Sequence, residues 1–213
     1  MSETNNTNNN DRDIHTHALV GERLCLDFAN TVSWHDSEDS REWLTSYERL
    51  VGWCQHADIL TEQQALSLLQ QAEDHPAEAN RVLKKTVEFR EAIHDIFSSI
   101  PKNETPNKAD LATLNGMLVD TYRSIQIVPD DDNNFSLQFQ KPEDSLDGIL
   151  APIVQSAIDI LVSEKELKRV KKCEGDPCGW LFLDTSRNRS RRWCSMADCG
   201  NRAKARRFYQ NKK

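Results

Sequence analysis

Four cysteines near the end of the chain, Cys173, Cys178, Cys194 and Cys199, form two Cys-x4-Cys pairs with fifteen residues between them. Zinc favours four ligands in a tetrahedron. A short loop between paired cysteines lets both sulfurs enter one site while backbone amides steady the thiolates, so two such loops close a single site. Four sulfurs leave no open position for water, and the expected cofactor is therefore one structural Zn2+ per chain with no hydrolytic chemistry. The remaining cysteines, Cys25 and Cys54, lie far from the quartet and from each other. A disulfide framework or free thiols are the competing readings. Residues 1–10 are polar and lack the apolar core of a signal peptide, so a reducing, cytoplasmic compartment is expected.

The charge around the quartet differs from that of the rest. Residues 171–213 hold twelve Lys or Arg against four Asp or Glu, a net of +8, while the whole chain of 213 residues carries −7 and residues 1–170 therefore −15. Even with four thiolates and one zinc ion, about +6 remains on this short segment, enough to attract a polyanion. A unit this small buries too little apolar surface to fold alone, and zinc binding, worth about 10 kcal/mol or more, must supply much of its stability.

The elements that must position these groups are short. Trp180, Leu181, Phe182 and Leu183 read as a strand leaving the first cysteine pair, with Arg191, Arg192 and Trp193 as a returning strand and residues 185–190 as the turn. Alternation puts Trp180 and Phe182 on one face and Leu181 and Leu183 on the other. A final helix is expected to begin near Cys199, capped by Asp198 or Asn201, with Ala205, Phe208 and Tyr209 as its inward stripe. Arg202 and Lys204 then fall in opening turns, where the helix dipole opposes a cation unless an anion joins it, and a phosphate suits that place. With Arg206 and Arg207 on the same helix and Arg187, Arg189, Arg191 and Arg192 along the turn and strand, eight basic residues are candidate nucleic-acid contacts. A merely solvated basic surface is the competing reading, and Trp180 and Trp193 are expected to shield the metal rather than stack on bases.

The run from Cys178 to Arg207, centred on Cys199-Gly200-Asn201-Arg202, resembles the CGNR zinc finger. Leu24-Cys25-Leu26-Asp27-Phe28-Ala29-Asn30-Thr31 resembles the opening motif of the ABATE domain, which accompanies that finger in bacterial stress-induced transcription regulators. The four-residue loop between Cys173 and Cys178 is a mild departure, but all four ligands are present. The resemblance implies DNA binding by the finger and regulation through the N-terminal domain.

Upstream, residues 1–13 read as a disordered leader, residues 14–168 as the ABATE-like regulatory domain and residues 169–213 as the finger. The segment from Leu24 to Phe28 fits a strand or a buried helix. Helical spacing appears over 42–57, over 61–71 after a Thr61 cap, over 77–100, around 110–119 and over 146–161. Residues 123–128 and 135–140 read as two strands joined by an Asp-rich turn. The expected fold class is α+β: a mainly helical N-terminal domain with a small β-hairpin, plus a treble-clef-like or ribbon-like zinc finger. No repeat and no apolar run near the roughly twenty residues of a membrane span occurs.

Six scattered histidines, with no His-Glu-x-x-His, P-loop or Gly-x-Ser-x-Gly motif, give no reason to expect an enzyme. Asp27, Asn30 and Trp34 are candidates for a small effector pocket, against the reading that Asp27 and Asn30 brace local backbone. Asp130–Asp132 lacks the glycine and distal glutamate of a calcium loop. The resulting expectation is a cytoplasmic DNA-binding regulator whose N-terminal domain senses an effector or forms a homodimer, with an RNA-binding or protein-interaction module as the alternative.

Overall fold

The computed structural model describes residues 12–35, 37–123, 125–129, 134–139 and 145–210. Most of the leader and the turn containing Asp130–Asp132 lie outside the described residues. Two residues assigned to the leader are engaged: the Arg12 guanidinium sits over the Trp43 ring, and Asp13 accepts from the His15 amide in a short 3-10 turn, Ile14–Thr16.

Among the described residues, the N-terminal region is built from six α-helices and one single-turn helix. Helices α1 (Leu24–Ala29), α2 (Tyr47–His56), α3 (Glu62–Asp74), α4 (Pro76–Ser99), α5 (Lys108–Tyr122), α6 (Ala151–Val162) and α7 (Glu164–Leu167) occur in that order. Their ends obey capping chemistry. Thr61 and Gln64 form the reciprocal capping box of α3, Pro76 occupies the first turn of α4, and Asn107 caps α5. The helix expected over 42–57 starts only at Tyr47, because Ser46 caps it while Glu42 is drawn into a two-residue strand pair, β1 (Val32–Ser33) with β2 (Arg41–Glu42). The helix expected from 146 starts at Ala151, next to Pro152, after a 3-10 turn over Gly148–Leu150.

Helix α1 settles the ambiguous segment. Cys25, Leu26, Asp27, Phe28 and Ala29 are all buried, so the run has no solvent face and period alone carried no information. It packs against α4 and α6, with Phe28 5.6 Å from Trp53 and 5.8 Å from Phe89 between ring centres. The expected hairpin is present: β3 (Ile125–Pro129) pairs antiparallel with β4 (Phe135–Phe139), Ile127 opposite Leu137.

The finger's strand is not paired as expected. β6 (Leu181–Leu183) pairs antiparallel with β5 (Val170–Lys172), directly before Cys173, with Val170 opposite Leu183. Residues 191–193 are not a strand, since the Arg191 amide is taken by the Asp184 carboxylate and the Arg191 carbonyl by Lys171. The face alternation does hold, with a consequence for the architecture. Leu181, Leu183 and Val170 belong to the same buried cluster as α1, α4 and α6, whereas Phe182 lies among the four cysteines with Trp180 and Trp193 partly buried beside it. Core and metal centre are thus opposite sides of one strand.

Candidate metal centre and basic surface

The first cysteine pair lies in the loop between β5 and β6, and the second precedes and enters the last helix. The Cys173 amide donates to Trp180 O at 2.7 Å, closing the β5–β6 loop around its two sulfurs. Gly175 is required by the crowding there, because an added Cβ would stand 2.8 Å from Cys199 Cβ and 3.0 Å from its sulfur. Gly179, at φ 71°, takes the left-handed turn that returns the chain to β6.

The four Sγ atoms all lie within 4.8 Å of one another, and Cys178–Cys194 and Cys194–Cys199 are each 3.7 Å apart. A tetrahedron with Zn–S bonds of about 2.3 Å has edges of about 3.8 Å, so the residues fit one zinc ion. Cys173 Sγ accepts from the amides of Gly175 at 3.4 Å and Cys194 at 3.3 Å, and Cys199 Sγ from Arg202 Nη2 at 2.9 Å. Such donors stabilise thiolate charge. Arg202 in particular puts a positive charge directly on the Cys199 sulfur and favours its thiolate. The centre is a structural zinc site, and the ion supplies cross-linking of the two loops.

The final helix departs from expectation in its cap and its packing. Ser195, not Asp198 or Asn201, is the cap: its hydroxyl accepts from the Asp198 amide and opens a π-helical turn, Met196–Gly200, that runs into α8 (Asn201–Gln210). Ser195-Met-Ala-Asp198 is itself the Ser-x-x-acid cap signature that sequence reasoning passed over. With the helical start moved back, Arg202 and Lys204 leave the first turn, and the anion beside Arg202 is Cys199 sulfur. The stripe of Ala205, Phe208 and Tyr209 does not face inward. No residue of α8 is buried, and Phe208 and Tyr209 are 57% and 70% exposed, because the metal loops support the helix only at its base.

The eight candidate basic contacts separate into two sets. Arg191 is internal: it donates to Trp193 O at 3.0 Å, to Val20 O at 3.2 Å and to Cys194 O, and its guanidinium covers the Phe182 ring at 4.4 Å. Arg192 pairs with Glu174, Arg206 with Asp176 at 3.0 Å, and Arg202 with the thiolate. Arg187, Arg189, Lys204 and Arg207 are exposed and have no ion-pair partner among the described residues. The loop holding the first two is braced from within by Asp184. This fully buried carboxylate accepts from Ser186 N at 3.0 Å, Ser186 Oγ at 2.5 Å, Arg191 N at 3.0 Å and Lys171 Nζ at 2.6 Å, while Lys171 Nζ also reaches Arg189 O at 2.6 Å. Burial opposes ionisation of Asp184, but these donors outweigh it and hold its pKa down to about 2. Nothing in the sequence flagged Asp184 beyond its position after a strand.

Asp27, Asn30 and Trp34 do not converge on one pocket. The Asp27 carboxylate accepts from the Gly21 amide at 2.7 Å, and burial pushes its pKa up to about 6 against those bonds. Asn30 mimics a neighbouring strand: its amide donates to Leu181 O at 2.8 Å and its oxygen accepts from Leu181 N at 2.7 Å. Both brace backbone, Asn30 across 151 residues of sequence. Trp34 alone lines a cleft, against the metal loops. Further ties join the finger to the helices. Trp180 Nε1 donates to Val32 O at 2.7 Å, Leu183 N to Gly21 O at 2.9 Å and His35 N to Cys178 O at 3.3 Å, while the His94 ring meets Gly179 O at 3.2 Å and stacks on His35 at 3.6 Å.

A helical domain sharing its core with a four-cysteine zinc finger, and carrying a bare basic helix, defines a zinc-finger protein of two continuous parts. Residues 22–164 match the ABATE family model, described as "Putative stress-induced transcription regulator", and residues 169–212 match the CGNR zinc finger. The chain belongs to the ABATE family, with a CGNR zinc finger at its C-terminal side. No curated protein matches it. Among the described residues no helix is long and apolar enough to cross a membrane.

Proposed function

We propose that this chain is a cytoplasmic, non-enzymatic transcription regulator that binds DNA through the zinc finger, and that the N-terminal domain governs this binding. The observation that carries the reading is α8, a helix with no buried side chain that leaves the zinc site carrying Lys204 and Arg207 free of ion pairs among the described residues. An α-helix of these dimensions fits the DNA major groove, and the braced loop bearing Arg187 and Arg189 offers a second row of phosphate contacts. The contact set narrows accordingly to Arg187, Arg189, Lys204 and Arg207, while Arg191, Arg192, Arg202 and Arg206 are already engaged by partners within the chain. One finger contacts little DNA, so specificity is easier if two chains set the spacing of two half-sites.

The test is binding of the zinc-loaded chain to duplex DNA across a salt series, with RNA and an acidic protein as competitors, and then selection of bound genomic fragments. The expected result is log-linear weakening with salt, a slope reduced by about 1 in Lys204→Ala or Arg207→Ala, and little change in slope for Arg192→Ala. Absence of DNA binding, or binding indifferent to salt, would sink the reading, and preference for RNA or the acidic protein would favour the alternative module.

A further inference from the structure

A cleft of about 500 Å3 opens between the finger and the turn after α1, lined by Trp34, Trp180, Asp198, Asn201, Arg202 and Ala205 and reaching three of the metal ligands, Cys178, Cys194 and Cys199. Its size lies in the range of small-molecule sites, which are apolar cavities with a few placed polar groups. Zinc does not fill it, because the metal takes only the space inside the sulfur cage, and Trp34 and Ala205 belong to elements beyond that cage.

The walls specify a ligand chemistry. Trp34 is held in the left-handed region at φ 56° with the Arg41 guanidinium 4.4 Å from its ring centre, and the Trp180 ring is fixed by its bond to Val32 O. Two positioned indoles thus line the cleft, and an indole face is a flat, electron-rich partner for a planar ring. Arg202, which lines the cleft, spends one Nη on Cys199 and has no other acceptor among the described residues, so further guanidinium donors are available to a ligand. Asp198 adds a carboxylate acceptor to the lining. A ligand must therefore present an anion to Arg202 and an N–H or O–H donor to Asp198.

We propose that this cleft binds a planar aromatic carboxylate carrying a hydrogen-bond donor, with its ring on Trp34 and Trp180, its carboxylate on Arg202 and its donor on Asp198. The walls come from both parts of the chain, so the bound ligand ties the base of α8 to the β1–β2 turn. The site stands on its own geometry, and only this regulatory consequence rests on the DNA-binding reading.

The experiment is a 1H–15N NMR titration of the zinc-loaded full chain with indole-3-carboxylate and with its uncharged amide, in the absence of DNA. The Trp34 indole resonance, assigned by its loss in Trp34→Phe, is expected to shift on adding the acid. The amide should bind at least about tenfold more weakly, as loss of a charge-assisted hydrogen bond requires. Trp34→Ala should weaken the acid by a similar factor, and Ala205→Trp, which fills the cleft from an exposed helix position, should block it. No shift at millimolar acid, equal affinity for acid and amide, or binding untouched by both variants would overturn the proposal. Ligand binding without DNA binding would leave the site standing and remove the regulator reading; the converse outcome would do the reverse.

Discussion

The helical region and the finger use the same residue type for opposite ends. Cys54 lies wholly buried among apolar side chains of α2 and its neighbours, and burial pushes its thiol far up, so it behaves as a small hydrophobe. Cys25 is similar, pushed up to about 12. Cys199 is just as hidden from solvent, yet three sulfurs that share its metal site and the Arg202 guanidinium surround it. Burial alone does not make a cysteine inert; the deciding factor is whether its neighbours stabilise the thiol or the thiolate. The helical core needs only exclusion of water, whereas the finger, with Phe182 and the four cysteines as its buried apolar cluster, needs an ion.

The sharpest way to break this contrast is to remove the metal. Chelation, or Cys199→Ala, forfeits about 10 kcal/mol or more of binding energy and should unfold the finger. Because Val170, Leu181 and Leu183 are part of the helical core, the helices should lose stability in the same transition. Far-ultraviolet circular dichroism during heating checks it, and an unchanged helical melting point would show two independent units. Cys54→Ala, by contrast, should cost about 1–2 kcal/mol and leave one zinc per chain, measurable by denaturation and metal analysis. Second only to metal removal is Leu181→Ala, at about 2–5 kcal/mol. Asn30→Ala strands both backbone groups of Leu181 and should cost about 2 kcal/mol, with zinc lost more readily to a competing chelator.

The smallest effect distinguishes two groups near the junction. Burial holds the His17 pKa down to about 4, so its contribution is present above the ordinary value of 6.5 and is lost as pH falls towards 4. Asp27, raised to about 6, acts with the opposite sign: its contribution is present below 3.8 and is lost as pH rises through 6. The stability gap between the wild type and Asp27→Asn should therefore move in favour of the wild type by about 1 kcal/mol between pH 7 and pH 5, read by chemical denaturation. A gap constant with pH would show that Asp27 is ionised throughout.

Much of this arrangement is legible in the residues themselves. The metal quartet is set by spacing, the two faces of β6 by alternation, α3 by its Thr61 cap and period, and α4 by period, because each depends on neighbours close in sequence. The misreadings share a cause. The inward stripe on α8 assumed that a helix with apolar spacing has something to pack on, and the returning strand at 191–193 assumed that β6 pairs with the next segment of the chain rather than with the preceding one. In both cases the true partner, or its absence, is a tertiary fact. Asn30 and Asp184 are of the same kind, since a side chain that imitates a strand or ties a loop looks like any other polar residue until the chain has closed around it.

The two faces of β6 also limit portability. If the chain were cut at the boundary read from sequence, between residues 168 and 169, the released finger would keep its four sulfurs but present Val170, Leu181 and Leu183 to water and leave the backbone of Leu181 without Asn30. Such a fragment would hold its metal and still associate through that bare strand face. Transplanting this finger onto another protein therefore requires a host that supplies an apolar floor and an amide to stand in for Asn30.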